Sequence, residues 1–147
     1  MKDRIVIGVD HGAFHLKQRL IDHLNKRGIE VKDMGVFRED SVDYPDIVRE
    51  TVGEYRKNGY TYGIVCCGTG IGVSISANKF HGIRCALPQN SFAARMGKAH
   101  NNANFIAFGG RVEYGEAVED MLDAFLDAEF EGERHAVRVN KIMDLEE

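Results

Sequence analysis

The stretch Tyr62–Asn78, YGIVCCGTGIGVSISAN, decides the fold. Its first six residues form an unbroken apolar run of strand length, the pattern of a strand covered on both faces. Gly68-Thr69-Gly70-Ile71-Gly72 follows as a tight turn, because glycine supplies positive-φ conformations that other residues resist. From there to about Asn78 the chain reads as a helix. Strand, glycine turn and helix in immediate succession make one unit of a parallel sheet.

The same alternation extends in both directions. On the N-terminal side, Ile5–Val9 is a short buried strand, and Ala13, Leu16, Leu20, Ile21 and Leu24 recur at helical spacing before a stop at Gly28. Ile29–Val31 is a weaker strand, and Val48, Thr51, Val52 and Tyr55 share a helical face closed by Gly59. On the C-terminal side come a strand at 83–87, a helix at 91–99, a strand at 104–108, a helix carrying Val118, Met121, Leu122, Phe125 and Leu126, and a last helix from near Glu133. The expectation is an α/β fold: a Rossmann-like three-layer αβα sandwich with a five-stranded parallel sheet, closed by right-handed crossovers. The whole chain, 1–147, reads as one domain, with no repeat, linker or low-complexity tract.

Composition narrows the partners. With 23 acidic residues against 19 Lys and Arg, the net charge is −4, so neither nucleic acid nor a membrane surface is an expected partner. No apolar run reaches membrane-span length, and the apolar stretch after Met1 is too short for a signal peptide. A cytoplasmic location is the resulting expectation. The odd cysteine count (Cys66, Cys67, Cys85) argues for reduced thiols rather than a disulfide framework. Residues 113–133 hold nine acids and no Lys or Arg, which reads as a solvated helix face.

Ligands of an open parallel sheet bind at the carboxyl ends of its strands. Those ends carry Asp10-His11, Asp43-Tyr44, Cys67 with its glycine loop, and Gly109-Gly110-Arg111. The loop's backbone N–H groups suit an anion. Its G-x-G-x-G spacing after the third strand is neither a dinucleotide fingerprint nor a P-loop, which needs a following Lys. Cys67 sits immediately before the loop, and a thiolate there can act as base or nucleophile; Cys66 faces the other way along the strand. A buried structural thiol is the plain alternative for Cys67, and it is the reading taken for Cys66 and Cys85. His11 and His15 lie four apart, but no third ligand follows at sensible spacing, so no metal is expected. His100-Asn101-Asn102, just before the fifth strand, is either an ordinary polar loop or the seat of a general acid/base. Arg134 and Arg138 share a helix face; they suit a phosphate dianion, or pair with acids such as Glu131 or Glu133.

The set resembles the B-type ribose-5-phosphate isomerase family, whose relatives act on allose and galactose 6-phosphates. The matching stretches are DHGAFHLK (10–17), SVDYPD (41–46), CCGTGIGVSISANKFHGIRCAL (66–87), HNNAN (100–104), GGR (109–111) and GERHAVRV (132–139). That resemblance implies an aldose–ketose isomerase working through an enediolate, with Cys67 as base and no cofactor. Some members of the family use a glutamate instead of this cysteine; here Cys67 is present and position 76 is Ser, as in the cysteine-dependent branch. The resemblance assigns Thr69 and the loop Gly68, Gly70, Ile71 and Gly72 to the oxyanion, and His100, with Asp10, to ring opening. It assigns His11, Arg134 and Arg138 to the phosphate, and Asn101, Arg111 and Tyr44 to the rest of the site. It further implies a homodimer or tetramer with shared sites, the helix at about 133–146 packing on the partner subunit. A hexose 6-phosphate isomerase and a non-catalytic sugar-phosphate sensor are the alternatives; a redox protein lacks the C-x-x-C spacing.

Overall fold

The computed structural model describes residues 2–147. Five strands, β1 (Arg4–Val9), β2 (Glu30–Asp33), β3 (Tyr62–Cys67), β4 (Cys85–Ala86) and β5 (Phe105–Gly109), form one all-parallel sheet in the order β2-β1-β3-β5-β4. Six helices connect and flank them: α1 (Phe14–Lys26), α2 (Tyr44–Asn58), α3 (Ile71–Ala77), α4 (Ser91–Ala99), α5 (Val118–Asp127) and α6 (Arg134–Met143). No helix among the described residues is long and apolar enough to cross a membrane.

The period-two alternation of strands sorts their side chains into two cores. Ile5, Ile7 and Val9 of β1, Ile64 and Cys66 of β3, and Ile106 and Phe108 of β5 face α1, α4 and α5. Val65 and Cys67 of β3 and Phe105 and Ala107 of β5 face α2 and α3. Cys66 and Cys67 therefore lie on opposite faces, as their adjacency requires. The sheet is covered on both sides, which is why β3 is apolar at every position.

Two expectations change. The strand expected at 83–87 shrinks to Cys85–Ala86. It is an edge strand, and asparagine side chains take its backbone donors: Arg84 N–H donates to Asn104 Oδ1 (2.8 Å) and Cys85 N–H to Asn78 Oδ1 (2.8 Å). The acidic face of α5 is not merely solvated. Glu119, Asp123 and Asp127 meet Arg19 and His23 of α1 and Arg27 at its C-cap, each set spaced one turn apart. Burial pushes the Asp123 carboxyl up, but hydrogen bonds from His23 and Arg27 outweigh it and hold the group below its usual value.

Helix α6 stands apart in character. Of its ten residues only His135 and Val139 are buried, while Val137 and Ile142 are exposed.

Candidate active site

Three loops at the carboxyl edge of the sheet pack backbone against backbone. Asp10 N–H donates to Cys66 O (3.1 Å), Gly110 N–H to Cys67 O (2.8 Å), and Arg111 N–H to Gly68 O (2.9 Å). A Cβ at Gly12 would lie 2.7 Å from Gly68 N, so the first and third loops touch with no room for a side chain between them.

Each side chain there has a local cause. Asp10 is buried; its Oδ1 accepts the Gly12 N–H at 2.8 Å and caps the short 3-10 turn His11–Ala13. His11 Nδ1 accepts the Val42 N–H at 3.3 Å, which leaves its ring proton on Nε2. Cys67 ends β3, almost fully buried, and its Sγ accepts the Gly70 N–H at 3.2 Å. Gly70 takes φ +81° at the start of α3, a conformation costly for other residues. Thr69 is exposed, its Oγ1 accepting the Ile71 N–H at 3.2 Å. The Tyr44 ring, at the first turn of α2, lies against Gly72 where a Cβ would stand. Arg111 runs along Gly68, with Cδ and Nη1 3.4 Å from where a Cβ would be. Asp10, His11 and Tyr44 line an open cleft of about 570 Å³ with Val42, Asp43 and Asp46.

The remaining expected residues lie elsewhere. His100 caps the C-terminus of α4, and Glu131 N–H donates to Ala99 O (2.9 Å), bringing the start of α6 to the same corner. That corner is where the strands begin, since Gly63 at the start of β3 bonds Asn104 O. Cys67 pairs with Gly109 at the far end of β5, and four residues of parallel strand span roughly 13 Å. One chain thus carries two groups at opposite edges of the sheet: Asp10, His11, Tyr44, Cys67–Gly72 and Arg111 at one, and His100, Asn101, Arg134 and Arg138 at the other. None of the ion pairs among the described residues involves Arg111, Arg134 or Arg138, so the acid-paired reading of Arg134 and Arg138 does not hold.

The second corner holds residues that sequence spacing did not single out. The His100 and His135 rings stack at 3.9 Å with planes 11° apart, and Glu131 Oε1 lies 3.5 Å from the Nε2 of each. Burial, and then the neighbouring His100, hold His135 below its usual value. Only the i, i+4 spacing of Glu131 and His135 hinted at the cluster; His100 joins it through the end of α4.

A cavity of about 660 Å³ also opens at this edge, beside Ile83, Arg84, Cys85, Ile142 and Met143. Burial pushes the Cys85 thiol up to about 12 and raises Cys66 strongly. Both shifts disfavour the thiolate.

Known proteins match this arrangement over almost its full length. A family model described as Ribose/Galactose Isomerase matches residues 5–142. Ribose-5-phosphate isomerase B of Escherichia coli K12 is 39% identical over 144 residues, covering 98% of this chain and 97% of that protein. Ribose-5-P isomerase B of Listeria innocua is 37% identical with the same coverage. Among solved structures, ribose-5-phosphate isomerase B of Clostridium thermocellum superposes with a TM-score of 0.93 at 48% identity, covering 97% of both chains. That of Thermotoga maritima gives 0.93 at 41% identity, covering 99% of this chain and all of the other. With its five-stranded parallel sheet, its Cys67 loop and these full-length matches, the chain belongs to the ribose/galactose isomerase family.

Proposed function

We propose that this protein interconverts D-ribose 5-phosphate and D-ribulose 5-phosphate, with Cys67 moving the proton between C2 and C1. The observation that carries the reading is the placement of Cys67 Sγ, aimed by the Gly70 N–H, in a glycine loop braced by Asp10 and Arg111, within a chain whose full-length relatives are ribose-5-phosphate isomerases B.

The chemistry needs few parts. The open-chain aldose has a weakly acidic proton on C2, next to the C1 carbonyl. A thiolate takes that proton and negative charge moves onto O1; the hydroxyl proton then passes from O2 to O1, and the enediolate collapses to the ketose when the first proton returns to C1. A positioned base contributes about 10²–10⁴ in rate. Donors aimed at the developing oxyanion contribute a comparable factor; Thr69 and the loop from Gly68 to Gly72 have that role in this reading. No cofactor enters these steps. His11, Arg134 and Arg138 grip the phosphate, whose binding energy positions the reacting carbons. His100, with Asp10, opens the furanose ring, and Asn101, Arg111 and Tyr44 complete the site.

Because Cys67 and His100 stand at opposite edges of one chain, the working unit in this reading is a homodimer or larger. His100, Asn101, Arg134 and Arg138 of one copy complete the Cys67 cleft of another, with α6 packing on the partner through its exposed face. An isologous contact builds two such sites per pair. The protein acts in the cytoplasm. A hexose 6-phosphate isomerase would use the same parts with a longer cleft. Relative kcat/KM on ribose 5-phosphate, allose 6-phosphate and galactose 6-phosphate decides between them. Turnover of ribose 5-phosphate, with Cys67→Ala folded but slowed by at least about 10²-fold, supports the proposal. Absence of turnover on every sugar phosphate, or a fully active Cys67→Ala, overturns it.

A further inference from the structure

The cluster at the start of α6 has a property that sugar isomerisation does not use. Two imidazoles and a carboxylate, His100, His135 and Glu131, place one ligand atom each within 4.8 Å of one another. The His135 side chain is 92% buried, and its Nε2 has no hydrogen-bond partner. A buried ring nitrogen left unpaired is uncommon, because burial removes the water that would otherwise satisfy it.

The geometry says what would satisfy it. Glu131 Oε1 is 3.5 Å from both Nε2 atoms, beyond the 2.7–3.2 Å of a good hydrogen bond. A proton can join the carboxylate to one imidazole at a time; a metal ion joins it to both at once. Around a tetrahedral zinc ion with bonds of about 2.0–2.2 Å, neighbouring ligand atoms stand roughly 3.3–3.6 Å apart. The two measured separations already have that length. The rings are nearly parallel, so their lone pairs converge only if one ring turns; His100, 36% exposed, is free to do so while buried His135 stays fixed.

We propose that His100, Glu131 and His135 form a site for a zinc-class divalent cation that holds the enzyme inactive by taking His100 out of use. Two imidazoles and one carboxylate, with a fourth position open to water, is a donor set that suits zinc. Arg134 and Arg138 lie close enough to act electrostatically on His135, and their charge opposes a cation. The site is therefore weak and reversible, not a structural zinc site. The inhibitory half rests on the role given to His100 under the proposed function; the binding half does not.

The test uses full-length protein stripped with EDTA, and zinc and cobalt as probes. Competition with a chromophoric chelator should show one zinc per chain. Glu131→Gln, at an exposed position, and His135→Phe, which keeps the ring stack and removes the nitrogen, should each weaken binding by more than the roughly 10–100-fold that loss of an outer-sphere partner costs. Cys67→Ala should leave it unchanged, and cobalt should give visible bands without a thiolate charge-transfer band. Circular dichroism checks that the variants fold. Zinc should inhibit sugar-phosphate turnover and EDTA should restore it. No binding, binding that survives Glu131→Gln, or binding lost in Cys67→Ala with a thiolate band overturns the site. Binding without inhibition overturns the inhibitory half. Failure of the stripped protein to turn over any sugar phosphate counts against the isomerase reading and leaves the binding result standing.

Discussion

Replacing Gly12 with alanine inserts a methyl between the first and third loops of the cleft. The new Cβ would stand 2.7 Å from Gly68 N and 2.9 Å from Gly68 Cα, where comfortable contact is about 3.5–4.0 Å. Both obstacles are backbone, so no side chain can swing aside. The loops must part by about 1 Å. Overpacking of this kind costs about 1–3 kcal/mol, which lowers Tm by about 2–4 °C for each kcal/mol in a domain of this size. The functional cost should exceed the structural one, since Gly68 adjoins Cys67 and a 1 Å misplacement of reacting groups costs on the order of 10²-fold in rate. Thermal unfolding and steady-state isomerisation kinetics on the same preparation measure both. Gly53→Ala is the control: it lies in α2 with nothing within 4 Å of its Cβ position, so it should stabilise by about 0.5–1 kcal/mol and leave kcat alone. A Gly12→Ala protein with unchanged Tm and kcat would refute the claim that the loops are braced backbone to backbone.

Other expectations follow from the charge and thiol environments. Asp123→Asn should cost about 1 kcal/mol at neutral pH by breaking the ties to His23 and Arg27. Asp123 is held below its usual value, so its contribution is complete above about pH 4 and is lost as pH falls through the lowered value; the two unfolding curves should converge in strong acid. Alkylation near neutral pH should leave Cys66 unlabelled in the folded protein, because it is wholly buried and burial raises its thiol; peptide mapping that finds Cys66 labelled first contradicts this. Arg134→Ala and Arg138→Ala should each raise KM by about 10–100-fold, the worth of a charged hydrogen bond, with the smaller change in kcat; equal kcat/KM in variant and parent would remove the residue from the phosphate site.

Much of this was legible in the chain because it depends on local order. The unbroken apolar run of β3 required a sheet covered on both faces, and the adjacency of Cys66 and Cys67 put one thiol in each core. Asp10 reads as a cap from its place after β1, and caps Gly12. What stayed hidden depends on residues distant in sequence. The pairing of α5 acids with α1 cations joins positions about a hundred apart. The short β4 is flanked by asparagine side chains distant in sequence: Asn104 accepts the Arg84 N–H ahead of it and Asn78 the Cys85 N–H. The His100–Glu131–His135 cluster forms because the end of α4 and the start of α6 share a corner. Strand polarity then sets that corner apart from Cys67, a separation that the place of His100 just before the fifth strand already hinted at.

Subunit complementation is the most direct test of a site shared between two copies. Cys67→Ala and His100→Ala each disable one half of the proposed composite site. Purified separately, both should be nearly inactive on ribose 5-phosphate. Mixed in equal amounts and allowed to exchange subunits, half of the pairs become mixed, and each mixed pair holds one intact site of two. Turnover should then recover to roughly a quarter of the unsubstituted enzyme's value. No recovery after exchange verified by native mass spectrometry would contradict the account, because it would place Cys67 and His100 in the same chain's site or outside the chemistry altogether.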